Sequence, residues 1–215
     1  MIGAHGIFGV YKPKGITSHD VVGIVRKKTG VKRVGHGGTL DPLAEGVLVI
    51  AVGRENTKKL NEYVKGEKEY IAEIFLGANS TTEDAQGEKE IVNVKIIPTK
   101  DKIDKMIKLF IGKIQQTPPL YSSIKIAGKP AHRRMRKGET VEMKSREVWI
   151  KNIEVLSFEF PIIKLKVTTG PGVYIRSLAH DIGEKLNTGG YLKSLIRTRV
   201  GEFTIENSKK IEEFK

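Results

Sequence analysis

Hydrophobic spacing along the chain switches repeatedly between a two-residue and a three-to-four-residue beat, and each stretch predicts an element. IFGVYKP (7–13) alternates weakly and runs into a proline, as a strand entering a turn does. TSHDVVGIVRKKTG (17–30) reads as a helix: Val21, Ile24 and Val25 share a face, Thr17 or Ser18 can cap it, Asp20 lies in the first turn and Gly30 closes it. VLVIAVG (47–53) is a continuous apolar run of strand length, and ENTKKLNEYV (55–64) predicts a second helix. KEYIAEIFLG (68–77) alternates, with Tyr70, Ala72, Ile74 and Leu76 on one face. After polar turn material at 80–88, the spacing of Ile103, Met106, Ile107, Phe110 and Ile114 behind Thr99 predicts one helix over 99–114.

The second half follows the same logic. Residues 115–138 hold paired prolines, a short strand and a very basic stretch. Residues 146–160 and 163–169 alternate as strands, and Gly170-Pro171-Gly172 turns the chain into a helix carrying Ile175, Leu178, Ile182 and Leu186 on one face. YLKSLIRTRVGEFTI (191–205) is strand-like in part, and 208–214 can form a short helix. Strands come mostly in successive pairs rather than in a βαβ beat. The expected class is therefore α+β, with a mixed, mostly antiparallel central sheet flanked by helices. No repeat or long linker divides the sequence, so residues 1–215 are expected to form a single domain.

Composition narrows the chemistry. The 215 residues contain no cysteine, which excludes disulfides, thiolate metal sites and a cysteine nucleophile. The five histidines, at 5, 19, 36, 132 and 180, lack metal-ligand spacing, so neither a metal nor another cofactor is expected. No apolar run approaches the ~18 residues of a membrane span, and the N-terminus lacks a signal-peptide pattern. A soluble, cytoplasmic protein is expected. The charge balance of +13 favours a polyanionic partner, nucleic acid first.

One stretch stands apart. GHGGTLDPLAEGVL (35–48) sets a lone carboxylate, Asp41, in a glycine-rich turn directly before the apolar strand. Gly35, Gly37 and Gly38 admit close approach of another chain, Pro42 stiffens the backbone after the acid, and Thr39 can hydrogen-bond within the turn. A rigidly held carboxylate results. The plainer reading is that Asp41 caps a helical turn. Likewise the basic run from His132 to Lys137 could be a solvated face, Tyr70 and Tyr174 core residues, and Arg176 an ordinary surface arginine.

Taken together, these stretches resemble the TruB family of tRNA pseudouridine synthases over about residues 7–205. YKPKGITSHDVV is similar to the family's N-terminal Lys-Pro motif, GHGGTLDPLAEGVLVIAVG to the motif of the catalytic aspartate, and KEYIAEIFLG to the following strand. QTPPLYSSIKIAGKPAHRRMRKG is similar to the segment after the long helix, and GPGVYIRSLAHDIGEKL to the tyrosine–arginine motif. The resemblance implies a pseudouridine synthase fold with an active-site cleft across the sheet. It implies metal-free isomerisation of uridine to pseudouridine in the T-loop of tRNA, at tRNA position 55. Asp41 matches the nucleophile and Arg176 the arginine that pairs with it, an arrangement that keeps a carboxylate ionised. Tyr70 matches the residue that stacks on the flipped base. His36 matches a histidine supporting the flipped loop, Tyr174 a second active-site tyrosine able to move a proton, and Leu195 a pocket wall.

Lys12 with Pro13 is expected to support the active-site loop, with Lys12 also grouped with Arg133, Arg134, Arg136 and Lys137 as RNA-contacting, the basic contact segment spanning about 115–145. Two departures accompany the resemblance. The C-terminal PUA-type RNA-binding domain usual in the bacterial family is expected to be absent, and His132 stands where an aromatic residue is usual. The expected partner is the tRNA T-arm, with a monomer and no obligate protein partner. A second reading, from another class, is an RNA-binding or RNA-folding module in which catalysis is secondary; a third is the archaeal and eukaryotic relative that works inside a guide-RNA particle. The set Asp41, Tyr70, Tyr174 and Arg176 favours the enzyme, because a pure binder needs no paired nucleophile.

Overall fold

A computed structural model describes residues 5–122, 124–126, 129–130, 141 and 143–214. Among them, one mixed nine-stranded sheet has the order β1-β3-β12-β4-β11-β10-β7, with β2 beside β3 and β13 beside β12. The strands are β1 (Gly6–Lys12), β2 (Val34–Gly37), β3 (Glu45–Val52), β4 (Lys68–Leu76), β7 (Gly112–Gln116), β10 (Arg146–Glu159), β11 (Ile162–Thr169), β12 (Gly190–Val200) and β13 (Phe203–Thr204). Two short hairpins stand apart: β5 (Ala78–Ser80) with β6 (Lys89–Ile91), and β8 (Lys125–Ile126) with β9 (Lys129–Pro130). The helices are α1 (Ser18–Thr29), α2 (Arg54–Val64), α3 (Lys100–Ile107) and α4 (Ile175–Leu186). The chain divides into two compact units: residues 1–71, 166–171 and 195–215, and residues 72–165 and 172–194.

In the first unit the apolar run of β3 explains itself. Every residue from Gly46 to Val52 is buried because both faces of the strand are covered. Leu48, Ile50 and Val52 pack with Val21 and Val25 of α1, while Val47, Val49 and Ala51 pack with Leu60 of α2. A strand covered on both sides has no reason to alternate. β3 pairs antiparallel with β1, Val10 opposite Leu48, and parallel with β12, where Arg197 lies opposite Gly46. The start of α1 carries a reciprocal capping box: Asp20 N–H donates to Thr17 Oγ1, and Thr17 N–H donates to the Asp20 carboxylate at 2.8 Å.

In the second unit α3 buries Ile103, Met106 and Ile107, and α4 buries Ile175, Leu178, Ala179, Ile182 and Leu186. Here the structure corrects the helix expected over 99–114. Thr99 does cap it, but the α-helix ends at Ile107 and a single 3₁₀ turn, Lys108–Phe110, follows. Ile114 belongs to β7, opposite Val148 of β10. The apolar spacing of Phe110 and Ile114 fits a helix and a strand alike, and ladder pairing with β10 decides it.

Candidate active site

Asp41 sits in a tight turn, with Ala44 N–H donating to the Asp41 carbonyl at 3.0 Å. The next element is β3, not a helix, so Asp41 is no helix cap. Three clamps hold the turn. Ser18, buried at the start of α1, accepts from Leu40 N–H at 2.9 Å and its hydroxyl faces the Leu40 carbonyl at 3.0 Å. Gly15 N–H donates to the Pro42 carbonyl at 2.8 Å. Lys12, fully buried, donates from Nζ to the carbonyls of Ala44 at 2.7 Å, Ile16 at 2.8 Å and Pro13 at 3.0 Å. All three protons of the ammonium are thus taken up by backbone, joining the Lys-Pro loop to the end of the Asp41 turn. Burial lowers the Lys12 pKa to about 8, against the opposing pull of Asp41 and Glu45. The sequence had grouped Lys12 with RNA-contacting residues; here its ammonium faces inward.

Behind the turn lies Arg197 of β12, also buried. Its Nη2 donates to the Gly38 carbonyl at 2.6 Å and its Nε to the Val47 carbonyl at 2.8 Å. Burial pushes its pKa down, while the side chain of Tyr70 and the charge of Asp41 push it up. Tyr70 itself is buried in β4, and Leu195 is buried two residues before Arg197. His36, in β2, packs edge-on to His19 with ring centroids 5.3 Å apart. Its Nδ1 is buried without a hydrogen-bond partner. Burial first, then the positive charges of His19 and Arg197, lowers its pKa and favours the neutral ring.

In the second unit, Tyr174 directly precedes α4. The Gln116 side chain brackets its backbone: Tyr174 N–H donates to Oε1 at 2.9 Å, and Nε2 donates to the Tyr174 carbonyl at 3.0 Å. The Arg146 guanidinium lies 5.5 Å from the centre of the Tyr174 ring. Arg176, in the first turn of α4, is buried and donates to the carbonyls of Tyr121 at 3.0 Å and Thr82 at 3.3 Å, with the buried Asp84 carboxylate 4.0 Å away. Asp84 in turn accepts from Thr82 Oγ1 and Gln86 N–H. Arg176 is therefore not the ordinary surface arginine of the plainer sequence reading.

Within the first unit Arg197 is the common neighbour: Asp41, Tyr70 and Lys12 all lie within its electrostatic range, and Lys12 also feels Asp41. Arg133, Arg134, Arg136 and Lys137, with His132, lie outside the described residues. Asp84, Gln116 and Arg197 are not singled out by the sequence, and Ser18 is read there only as a possible helix cap, a role the structure gives to Thr17; for Arg197, its two-residue offset from Leu195, which places it on the same strand face, is the available signal. Among the described residues no group of three or more His, Cys, Asp or Glu side chains could hold a metal ion. No helix among them is long and apolar enough to cross a membrane.

Residues 26–175 match the model for the N-terminal domain of TruB family pseudouridylate synthases. The chain belongs to that family. Residues 176–215 match the C-terminal domain model of tRNA pseudouridylate synthase B. The tRNA pseudouridine synthase B of Carboxydothermus hydrogenoformans is 44% identical over 214 residues, covering 97% of this chain and 74% of the relative. That of Protochlamydia amoebophila is 42% identical over 202 residues, covering 94% of this chain and 76% of the relative. Among solved structures, a chain of a Cbf5-Nop10-Gar1 complex shares the fold with a TM-score of 0.76 at 32% identity. That match covers 98% of this chain and 53% of the other, so the TruB-family chain spans about half the length of that solved relative.

Proposed function

We propose that this chain isomerises uridine to pseudouridine in tRNA, and that the target is the T-loop uridine at tRNA position 55. The observation that carries the proposal is the Asp41 turn, fixed at Leu40, Pro42 and Ala44 by Ser18, Gly15 and Lys12. Family membership supports it. A nucleophile gains most when its approach is fixed beforehand, since misplacement by about 1 Å can cost about 10²-fold in rate.

The reaction conserves atoms. The bond from ribose C1′ to uracil N1 breaks, the base turns, and a bond from C1′ to C5 forms. C5 loses its proton and N1 gains one, so no oxidant, reductant or metal is required. In this reading Asp41 supplies the nucleophilic carboxylate and Tyr70 the stacking face that replaces base stacking lost on flipping. Leu195 forms pocket wall, and His36, neutral and with Nδ1 unpartnered, supports the flipped loop. Tyr174 and Arg176 serve the same reaction as proton carrier and cationic support, and the basic segment around 133–137 contacts phosphate. The excess of +13 charges draws the RNA in.

The test is release of tritium from uridine labelled at C5 in tRNA, with mapping of the product. Release confined to the T-loop site is the expected result. Tight RNA binding without release would instead identify an RNA-folding module.

A further inference from the structure

The Arg197 guanidinium touches both ends of the segment that carries Asp41. Gly38, whose carbonyl it binds at 2.6 Å, lies just before the Asp41 turn. Val47, bound at 2.8 Å, lies just beyond it on β3. The arginine's own backbone lies opposite Gly46 in the parallel β3–β12 pair, so closely that a Cβ on Gly46 would stand 2.2 Å from the Arg197 carbonyl oxygen. The side chain of Tyr70, buried in β4, acts on the guanidinium, whose charge is in turn felt by Asp41, Lys12, His36 and Lys68. A planar fork of five donors can serve two carbonyls in different directions at once and still have N–H groups to spare for a hydroxyl; a lysine ammonium, on a flexible stem, cannot hold such partners in one fixed plane.

We propose that Arg197 is a positioning residue for the reaction: it closes the base of the Asp41 segment at Gly38 and Val47 and ties it to the Tyr70 hydroxyl, so that the carboxylate and the stacking ring move as one body. The proposal rests on the reading of Asp41 as nucleophile and Tyr70 as stacking ring. It separates from ordinary core packing because it requires the two residues to be coupled. Damage at Arg197 must cost less once the Tyr70 hydroxyl is already gone.

The experiment is a double-mutant cycle on the full chain, with Arg197→Lys, Tyr70→Phe and the pair, read by tritium release from a C5-labelled T-arm hairpin RNA. Thermal melts establish how much of each variant is folded. Arg197→Lys is expected to lower kcat by about 100-fold with KM changed by less than about threefold, since the fault lies in alignment rather than in RNA binding. Tyr70→Phe is expected to lower kcat about tenfold, and the pair about 100-fold rather than the about 1,000-fold of independent effects. A kcat for Arg197→Lys within threefold of the parent, independent effects in the pair, or a loss matching the unfolded fraction overturns the proposal. Should Arg197→Lys not fold, exchange of the Arg197 Nε proton, followed by NMR, decides the matter. Tyr70→Phe should speed it at least about tenfold, and unchanged exchange overturns the coupling. Asp41→Asn separates the two failures: if that variant still turns over, the nucleophile reading has failed, and if it is inactive while Arg197→Lys is normal, only the positioning role has.

Discussion

Lys12→Met removes the ammonium beneath the Asp41 turn while keeping a side chain of similar length, and its cost can be worked from the structure. The buried carbonyl of Ala44 and the part-buried carbonyls of Pro13 and Ile16 lose their donor. At about 3 kcal/mol for the buried acceptor and about 1.5 kcal/mol for each part-buried one, the loss is about 6 kcal/mol. Against this, the parent bears the cost of burying a charge. Burial takes the Lys12 pKa from 10.5 to about 8, which corresponds to about 3 kcal/mol that the substitution recovers. The expected net destabilisation is therefore about 3 kcal/mol at neutral pH, measured by urea unfolding. The pH dependence has a definite sign. The unfolded chain keeps this proton until about pH 10.5, and the folded chain releases it near pH 8. Between those values the unfolded state binds more protons, so the lysine's contribution to stability grows as pH rises. The gap between parent and variant should widen by about 2 kcal/mol from about pH 7.5 to about pH 9.5. A gap below about 1 kcal/mol at neutral pH, or one that narrows as pH rises, refutes the reasoning.

Other consequences follow from the same geometry. Tyr70→Leu should lose a further 10- to 100-fold in kcat/KM beyond Tyr70→Phe, because base–aromatic stacking contributes about 1–3 kcal/mol; equal loss in both points to the hydroxyl alone. Gly46→Ala should yield little folded protein by circular dichroism, since the position has φ +105° and the new methyl would meet the Arg197 backbone; a parental melting curve would show that β3 and β12 can part at no cost. Chelation with EDTA should leave tritium release from a prefolded hairpin intact, and loss restored only by zinc or manganese would reveal a metal site outside the residues described.

How much of this was readable in advance depended on the range of the interactions involved. The β3 run was legible because a strand covered on both faces must be apolar throughout, and the caps at Thr17 and Thr99 because capping is local. The turn at Asp41 was legible from its glycines and Pro42. The end of α3 was not, because Phe110 and Ile114 fit two periods and only β10, more than thirty residues on, selects one. The inward role of Lys12 was partly legible from the Lys-Pro motif, but not its three acceptors, one of which lies at Ala44. Arg197 reads as one more basic residue in a basic strand. Its importance comes from parallel pairing with Gly46 and from carbonyls about 150 residues upstream, contacts that no local pattern encodes. The same holds for the Gln116 bracket on Tyr174.

The most direct test of the account is single-turnover tritium release by Asp41→Asn, a substitution that keeps the shape of the side chain and removes its nucleophilic charge. The half-buried Asp41 turn should be left standing, since its clamps grip backbone groups of Leu40, Pro42 and Ala44. The predicted result is no release above background, with hairpin binding within about threefold of the parent. Release within about tenfold of the parental rate, a barrier change of no more than about 1.4 kcal/mol, would contradict the assignment of Asp41 as the nucleophile.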